Sequence, residues 1–140
     1  MMAKTYFLIK VKGQLFAIDR DVVAGVVLQG KARVIEENGV TILPISGGRR
    51  AVIVDLGKTL NSKAPARPSF VCYCVLRLAD IYLALPMQGK GRQVMAMQDA
   101  LLPLPAACTA ATRALISEVL VNGKDTVPII REQVLRESVA

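Results

Sequence analysis

The sequence of 140 residues contains no histidine and no tryptophan, only three cysteines, and few aromatic residues. Histidine is the commonest general base near neutral pH, so its absence removes the usual means of acid–base catalysis. A metal site would have to be completed by other side chains, and no set of four ligands is evident. We therefore predict a protein that is not an enzyme, with no cofactor and no metal.

The cysteines fit a packing role better than a chemical one. Cys72 and Cys74 are two residues apart in an apolar run, and residues at that spacing share one face of a strand. Cys108 lies among alanines and threonines with no candidate base nearby in sequence, which indicates a buried thiol rather than a nucleophile. A disulfide framework is not expected in the cytoplasm.

The sequence also lacks a long uninterrupted hydrophobic run. The nearest candidate, residues 100–112, contains Pro103 and Pro105 and is shorter than the ~20 residues that a membrane span needs. The apolar stretch at residues 6–11 contains Lys10 and lacks a small-residue cleavage site. We therefore predict a cytoplasmic protein without membrane insertion.

Positive charge exceeds negative charge: the net charge is +7 and the isoelectric point is about 9.7. This balance favours acidic partners, but the basic residues are dispersed and form no nucleic-acid arm. Residues 47–50 and 89–92 combine glycine with basic residues, yet neither segment contains the phosphate-loop pattern. Both are interpreted as turns, and no small-molecule substrate is expected.

Short apolar strands separated by turn residues dominate the sequence. The dipeptides Asn38-Gly39 and Asn122-Gly123, together with Gly13 and Ala79-Asp80, predict four hairpins. Residues 61–69 contain two prolines and small polar residues, which predict a linker. Residues 131–139 contain no glycine or proline and predict a short C-terminal helix.

An internal repeat organises these strands. Residues 6–11 and 15–18 align without a gap on residues 73–78 and 82–85, as expected for a duplicated unit. We therefore predict an all-β fold of two small SH3-like, five-stranded antiparallel β-barrels with a short C-terminal helix. The approximate halves are residues 4–62 and 70–140, and strands can be exchanged between them.

Three segments carry a resemblance to a known family: the opening hairpin at residues 7–18, Val52-Ile-Val-Asp-Leu56, and Val127-Pro-Ile-Ile130 before the last helix. In these segments the chain resembles the CheW-like domain family, the coupling modules of bacterial chemotaxis arrays. Two family residues are missing: a glutamate, whose position falls on Ala24, and an arginine, which falls at about Gly47. The usual V-D of the second half is Leu85-Pro86.

The resemblance implies a non-catalytic adaptor in chemotaxis-type signalling. Its partners would be the cytoplasmic tip of a chemoreceptor and the regulatory domain of a histidine kinase. Helix docking in a groove needs apolar surface, and adjacent arginines would suit an acidic partner. The predicted partner-binding residues, for which core packing or simple solvation is the alternative, are Val22, Ala24, Ile42, Ile45, Gly47, Arg49 and Arg50.

A basic small-barrel module that binds nucleic acid is the alternative function. Proteins that bind single strands display aromatic platforms on which bases stack. The three tyrosines and three phenylalanines of this chain fall mostly inside apolar strand runs. Salt separates the two functions, because nucleic-acid binding weakens steeply as salt rises and apolar docking does not.

Overall fold

Alternating short strands and tight turns produce an almost entirely β architecture. The computed structural model describes residues 3–11, 13–54, 72–105, 107 and 109–137. The strands are β1 (Ala3–Val11), β2 (Gln14–Asp19), β3 (Val23–Leu28), β4 (Ile35–Glu37), β5 (Val40–Ile45), β6 (Arg49–Ile53), β7 (Cys72–Leu78), β8 (Ile81–Met97), β9 (Leu101–Leu102), β10 (Ile116–Asn122) and β11 (Asp125–Ile130), and the helices are α1 (Ala110–Leu115) and α2 (Glu132–Glu137).

The four predicted hairpins are all present: β1–β2, β4–β5, β7–β8 and β10–β11 are antiparallel pairs. The β4–β5 turn has positive φ angles at Asn38 (55°) and Gly39 (80°), as a type I′ turn requires. Ala79 adopts a positive φ of 57° in the β7–β8 turn, so a non-glycine residue accepts the left-handed conformation there.

The predicted repeat is reproduced in the register of the strands. Leu8 pairs with Ala17 in the first hairpin, and Val75 pairs with Ala84 in the second. From the tyrosine onward, β1 and β7 also share one order of burial, in which the basic residue alone is exposed. Equivalent residues in the alignment therefore occupy equivalent positions in space.

Each of these two hairpins is built into the sheet formed mainly by the other half of the chain. Sheet 1 joins β1 and β2 to β9, β10, β11 and the C-terminal part of β8, and sheet 2 joins β7 and the N-terminal part of β8 to β3, β4, β5 and β6. The exchange is reciprocal: Val94 pairs with Tyr6 as Val27 pairs with Tyr73. The halves at residues 4–62 and 70–140 remain a prediction.

Three apolar clusters hold the sheets together. A central cluster contains residues of both sheets, including Ile9 and Ile18 from sheet 1 and Leu76 and Leu83 from sheet 2. Leu135 of α2 is fully buried in the same cluster, which explains why the C-terminal helix is docked. A second cluster belongs to sheet 1 and a third to sheet 2. The hairpins β1–β2 and β7–β8 are buried on both faces, so their sequences contain continuous apolar runs instead of alternating apolar and polar residues.

The predicted fold class is confirmed: the chain is all-β with two SH3-like subdomains and a short C-terminal helix. Three details differ from the sequence-based expectation. The sheets are open in the described part of the chain, where β3 does not pair with β4 and β8 does not pair with β9. Two of the strand contacts are parallel, β6 with β8 and β11 with β2. The aligned segment at residues 82–85 is part of a much longer strand, β8, which continues to Met97.

Glycine explains the continuity of β8. Gly89 and Gly91 have φ angles of 75° and 71°, and opposite them the β1–β8 register shifts between Leu8 and Lys10. The extra residues form a bulge that lets a single strand leave sheet 2 and enter sheet 1. Cys108 and the linker predicted at residues 61–69 lie outside the described residues.

Candidate protein-docking groove

An open groove of about 400 Å³ lies on sheet 2. Residues 24–27 of β3 form one wall, and Pro44, Ile45, Ser46 and Arg49 form the opposite wall. Val75 and Tyr82 lie between the walls, on strands at the middle of the sheet. The groove therefore spans the open side of the sheet, between its edge strand β3 and the β5–β6 hairpin.

The composition of β3 accounts for the apolar wall. All six residues of Val23–Leu28 are apolar or glycine, and their exposure alternates along the strand. Successive side chains of a strand point to opposite faces, so an all-apolar strand at a sheet edge must present some of them to solvent. Val26 is 40% exposed and Leu28 is 39% exposed, which leaves apolar surface available at this edge.

Positive charge borders the groove. Lys31 and Arg49 line it, and none of the lining residues is acidic. The guanidinium carbon of Arg49 lies 5.5 Å from the centre of the Tyr82 ring, which is a cation–π distance. Below the groove, burial raises the pKa of Tyr73. The site thus combines an apolar floor with two cations at its rim.

Arg50 has a different environment from its neighbour Arg49. It donates to the carboxylate of Glu37 on β4 and forms an ion pair with it. Consecutive residues of a strand point to opposite faces of the sheet, and Arg50 does not line the groove. The two adjacent arginines therefore differ in environment: Arg50 is paired with a carboxylate, and Arg49 faces the groove.

The structure brings four of the seven predicted partner-binding residues together. Ala24, Ile45 and Arg49 line the groove. Gly47 belongs to the turn between β5 and β6, where its φ is 80° and a Cβ built on it would lie 3.6 Å from Nε of Arg49. An arginine at position 47 would need a strained backbone, and the guanidinium of Arg49 already lies beside that position.

The other three predicted residues lie elsewhere. Val22 ends the 3₁₀ turn after β2 and packs against the central cluster. Ile42 pairs with Val52 on β6 and is half-buried, next to Leu43 of the sheet 2 cluster. Arg50 is held by Glu37. Their role in partner binding stays a prediction, and for Val22 the contact seen in this chain is internal.

Sequence reasoning missed several groove residues, among them Val26, Lys31, Pro44 and Tyr82. It assigned no strand to residues 23–28, although the uninterrupted apolar composition of that segment was a usable signal. The repeat aligns Tyr82 with Leu15, and each of these residues packs against the cluster of its own sheet. The repeat therefore indicates a packing position for Tyr82, but not a position in a groove. Nothing local in the sequence indicates that Arg49 stacks on Tyr82.

Other kinds of site find little support among the described residues. No group of three or more cysteine, aspartate or glutamate side chains that could hold a metal is present there. Tyr6, Phe7, Phe16 and Tyr73 are buried, so they offer bases no stacking surface. No helix in the described ranges is long and apolar enough to cross a membrane.

Two SH3-like subdomains with exchanged hairpins define a CheW-like fold, and a solved structure shows the match. The chain is similar to the scaffolding protein TtCheW from Thermoanaerobacter tengcongensis, with a TM-score of 0.77, 14% sequence identity, and coverage of 93% of this chain and 90% of that chain. No family model matches the sequence, and no curated protein matches it. The predicted resemblance is thus confirmed as a divergent CheW-like fold.

Proposed function

We propose that this chain is a non-catalytic adaptor of bacterial chemotaxis-type signal transduction, which couples a receptor to a histidine kinase through protein–protein contacts. Its partners are the regulatory domain of the kinase and the cytoplasmic tip of the receptor, so it acts in the cytoplasm. The observation that carries the proposal is the similarity to a CheW scaffolding protein along 93% of the chain.

The groove on sheet 2 supports a docking role. Most of its lining side chains are apolar, its volume is within the range of sites that bind ligands or side chains, and it lies at an exposed sheet edge. Groove docking requires shape and apolar area rather than a reactive group. The lining residues include no carboxylate, cysteine or histidine, and the proposal involves no chemical step.

The direct test is calorimetric titration of the purified chain with the kinase regulatory domain of the same organism, at low and at high salt. Micromolar or tighter binding that persists at high salt supports the adaptor. Absence of binding to both the kinase domain and a receptor-tip fragment would contradict it. Binding to single-stranded nucleic acid that weakens steeply with salt would favour the nucleic-acid alternative instead.

Two valines provide a matched test of the groove. Val27 and Val52 are half-buried and each lies on a strand of sheet 2, but only Val27 lines the groove, whereas Val52 packs against the central cluster. Val27→Ser should weaken partner binding roughly threefold, because docking covers only the part of this side chain that is still exposed and so contributes less than the roughly 1.5 kcal/mol of full burial. Val52→Ser should bind as the wild type does, and equal losses in both variants would exclude the groove as the docking site.

A further inference from the structure

We infer that the groove on sheet 2 selects an acidic, apolar segment of its protein partner, with Arg49 as the residue that reads the partner's carboxylate. This inference rests on the proposed adaptor function and specifies the chemistry of the surface that the adaptor captures. Its basis is the distribution of charge around the groove, which differs from that of the surrounding sheet.

The rim of the groove carries cations without compensating anions. Lys31 is exposed and Arg49 is exposed, and no carboxylate of the described residues forms an ion pair with either. On the β3 wall, Ala24 and Gly25 add no charge beside Val26. A partner with carboxylates at this rim gains attraction, whereas a basic partner meets repulsion that nothing in the groove offsets.

Arg49 is positioned for recognition by its contact with Tyr82. The guanidinium carbon lies over the Tyr82 ring, 5.5 Å from its centre, and both residues line the groove. The N–H donors of Arg49 pair with no carboxylate among the described residues. A guanidinium presents those donors as a fork that matches a carboxylate. Pre-positioning lowers the ordering cost that a flexible surface arginine would otherwise carry on binding.

The apolar floor determines the rest of the occupant. Val27, Ile45 and Val75 line the groove beside the two cations and belong with Tyr82 to one apolar cluster. A purely acidic segment would leave this surface wet, and a purely apolar one would leave the cations without partners. The complementary occupant is a protein segment in which an aliphatic side chain lies close to a glutamate or aspartate.

Arg136 provides the matched control, because it is an exposed arginine of α2 that does not line the groove and pairs with no carboxylate of the described residues. The experiment is calorimetric titration of the wild type, Arg49→Gln and Arg136→Gln with the kinase regulatory domain and with the receptor-tip fragment. We expect Arg49→Gln to weaken binding to the groove's partner roughly tenfold and to flatten its salt dependence, and Arg136→Gln, which removes the same charge away from the groove, to change the affinity less than about twofold.

Equal effects of the two variants on a partner that the wild type binds would overturn the acidic-segment inference and leave the adaptor function intact.

If the wild type binds neither protein, the adaptor function fails, and two synthetic dodecapeptides decide the inference. One alternates leucine with glutamate, and the other alternates leucine with lysine. NMR should show the acidic peptide alone shifting amide signals of β3 and of Ile45 and Arg49. Equal binding of both peptides would overturn the inference, and so would binding of the acidic peptide to the Arg49→Gln variant with the same NMR shifts as in the wild type.

Discussion

Gly91 lies directly against the ring of Phe7: a Cβ built on Gly91 would be 2.5 Å from Cζ of that ring and 3.1 Å from the carbonyl oxygen of Leu8. The contact occurs where β8 crosses from sheet 2 to sheet 1 beside β1. Phe7 is buried in the central cluster, so its ring has little room to move. The crossing of the strand therefore depends on the absence of a side chain at position 91.

Gly91→Ala should destabilise the fold by about 2–4 kcal/mol, since it combines a positive φ of 71° with a clash against a buried ring. Gly89 has a similar φ of 75°, but a Cβ at that position would meet nothing within 4 Å, so Gly89→Ala isolates the backbone cost of about 1–2 kcal/mol. Urea unfolding of both variants measures the difference. Equal destabilisation would mean that the contact with Phe7 relaxes freely.

Leu8 and Val75 should be equally intolerant of charge, because they hold equivalent positions in the two hairpins. Their side chains are 1% and 3% exposed. Burying an unpaired carboxylate costs several kcal/mol against a total stability of roughly 5–15 kcal/mol. Leu8→Asp and Val75→Asp should therefore unfold the protein, as circular dichroism would show. Arg77→Asp, at the single exposed position of β7, is the control, and a Val75→Asp protein with unchanged melting would contradict the register.

Cys74 should be inert in the folded protein and should make stability depend on alkaline pH. Burial raises the pKa of its thiol to about 12, so at pH 8 the nucleophilic thiolate is scarce and also inaccessible. Alkylation followed by mass mapping should label Cys74 only after denaturation. Rapid labelling of native Cys74 would show that this part of the core opens readily.

The sign of the pH effect follows from that raised pKa. The neutral thiol is favoured in the folded state, so its stabilising contribution is complete below the unfolded value of about 9 and is lost as pH rises towards about 12. Between these limits this group lowers the free energy of unfolding by up to ~1.4 kcal/mol for each pH unit. Cys74→Ala should remove that part of the slope, measured as the difference from wild type across the same pH range.

The hairpins and the repeat could be predicted from sequence because their signals are local. Asn38-Gly39 requires one kind of turn, and the aligned segments that begin at Tyr6 and Tyr73 carry the same order of apolar and basic residues. The exchange of hairpins between the halves is compatible with the sequence, but no pattern in the sequence requires it. A chain whose hairpins stayed in their own halves would need the same apolar residues in β1 and β7 as the exchanged one. Local patterns carry no information about which distant strand pairs with these two strands.

The groove was predictable only in part, for a related reason. Ala24, Ile45, Gly47 and Arg49 were singled out through a family resemblance, and the structure gathers them on one side of sheet 2. The separation of Arg49 from Arg50 depends on strand alternation and on the positions of partners on other strands. Tyr82 and Glu37 are distant in sequence from the arginines that they contact, so the residues around position 49 predict neither interaction.

The ion pair between Lys4 and Asp19 should contribute little at neutral pH and nothing at strongly alkaline pH. Its atoms are 2.9 Å apart, but the Lys4 side chain is 52% exposed, so solvent screening limits the pair to about 0.2–1 kcal/mol. The hydrogen bond to Asp19 raises the pKa of Lys4 above its usual 10.5. The contribution is therefore complete below the unfolded pKa and disappears as pH rises through the raised folded pKa.

The free energies of unfolding of the wild type and Lys4→Met, measured in urea, should differ by that small amount at pH 7 and converge at higher pH. The ammonium also lies 5.6 Å from the centre of the Tyr6 ring, and deprotonation removes this cation–π contact together with the ion pair. A difference that persists at the higher pH would therefore contradict a contribution through charge.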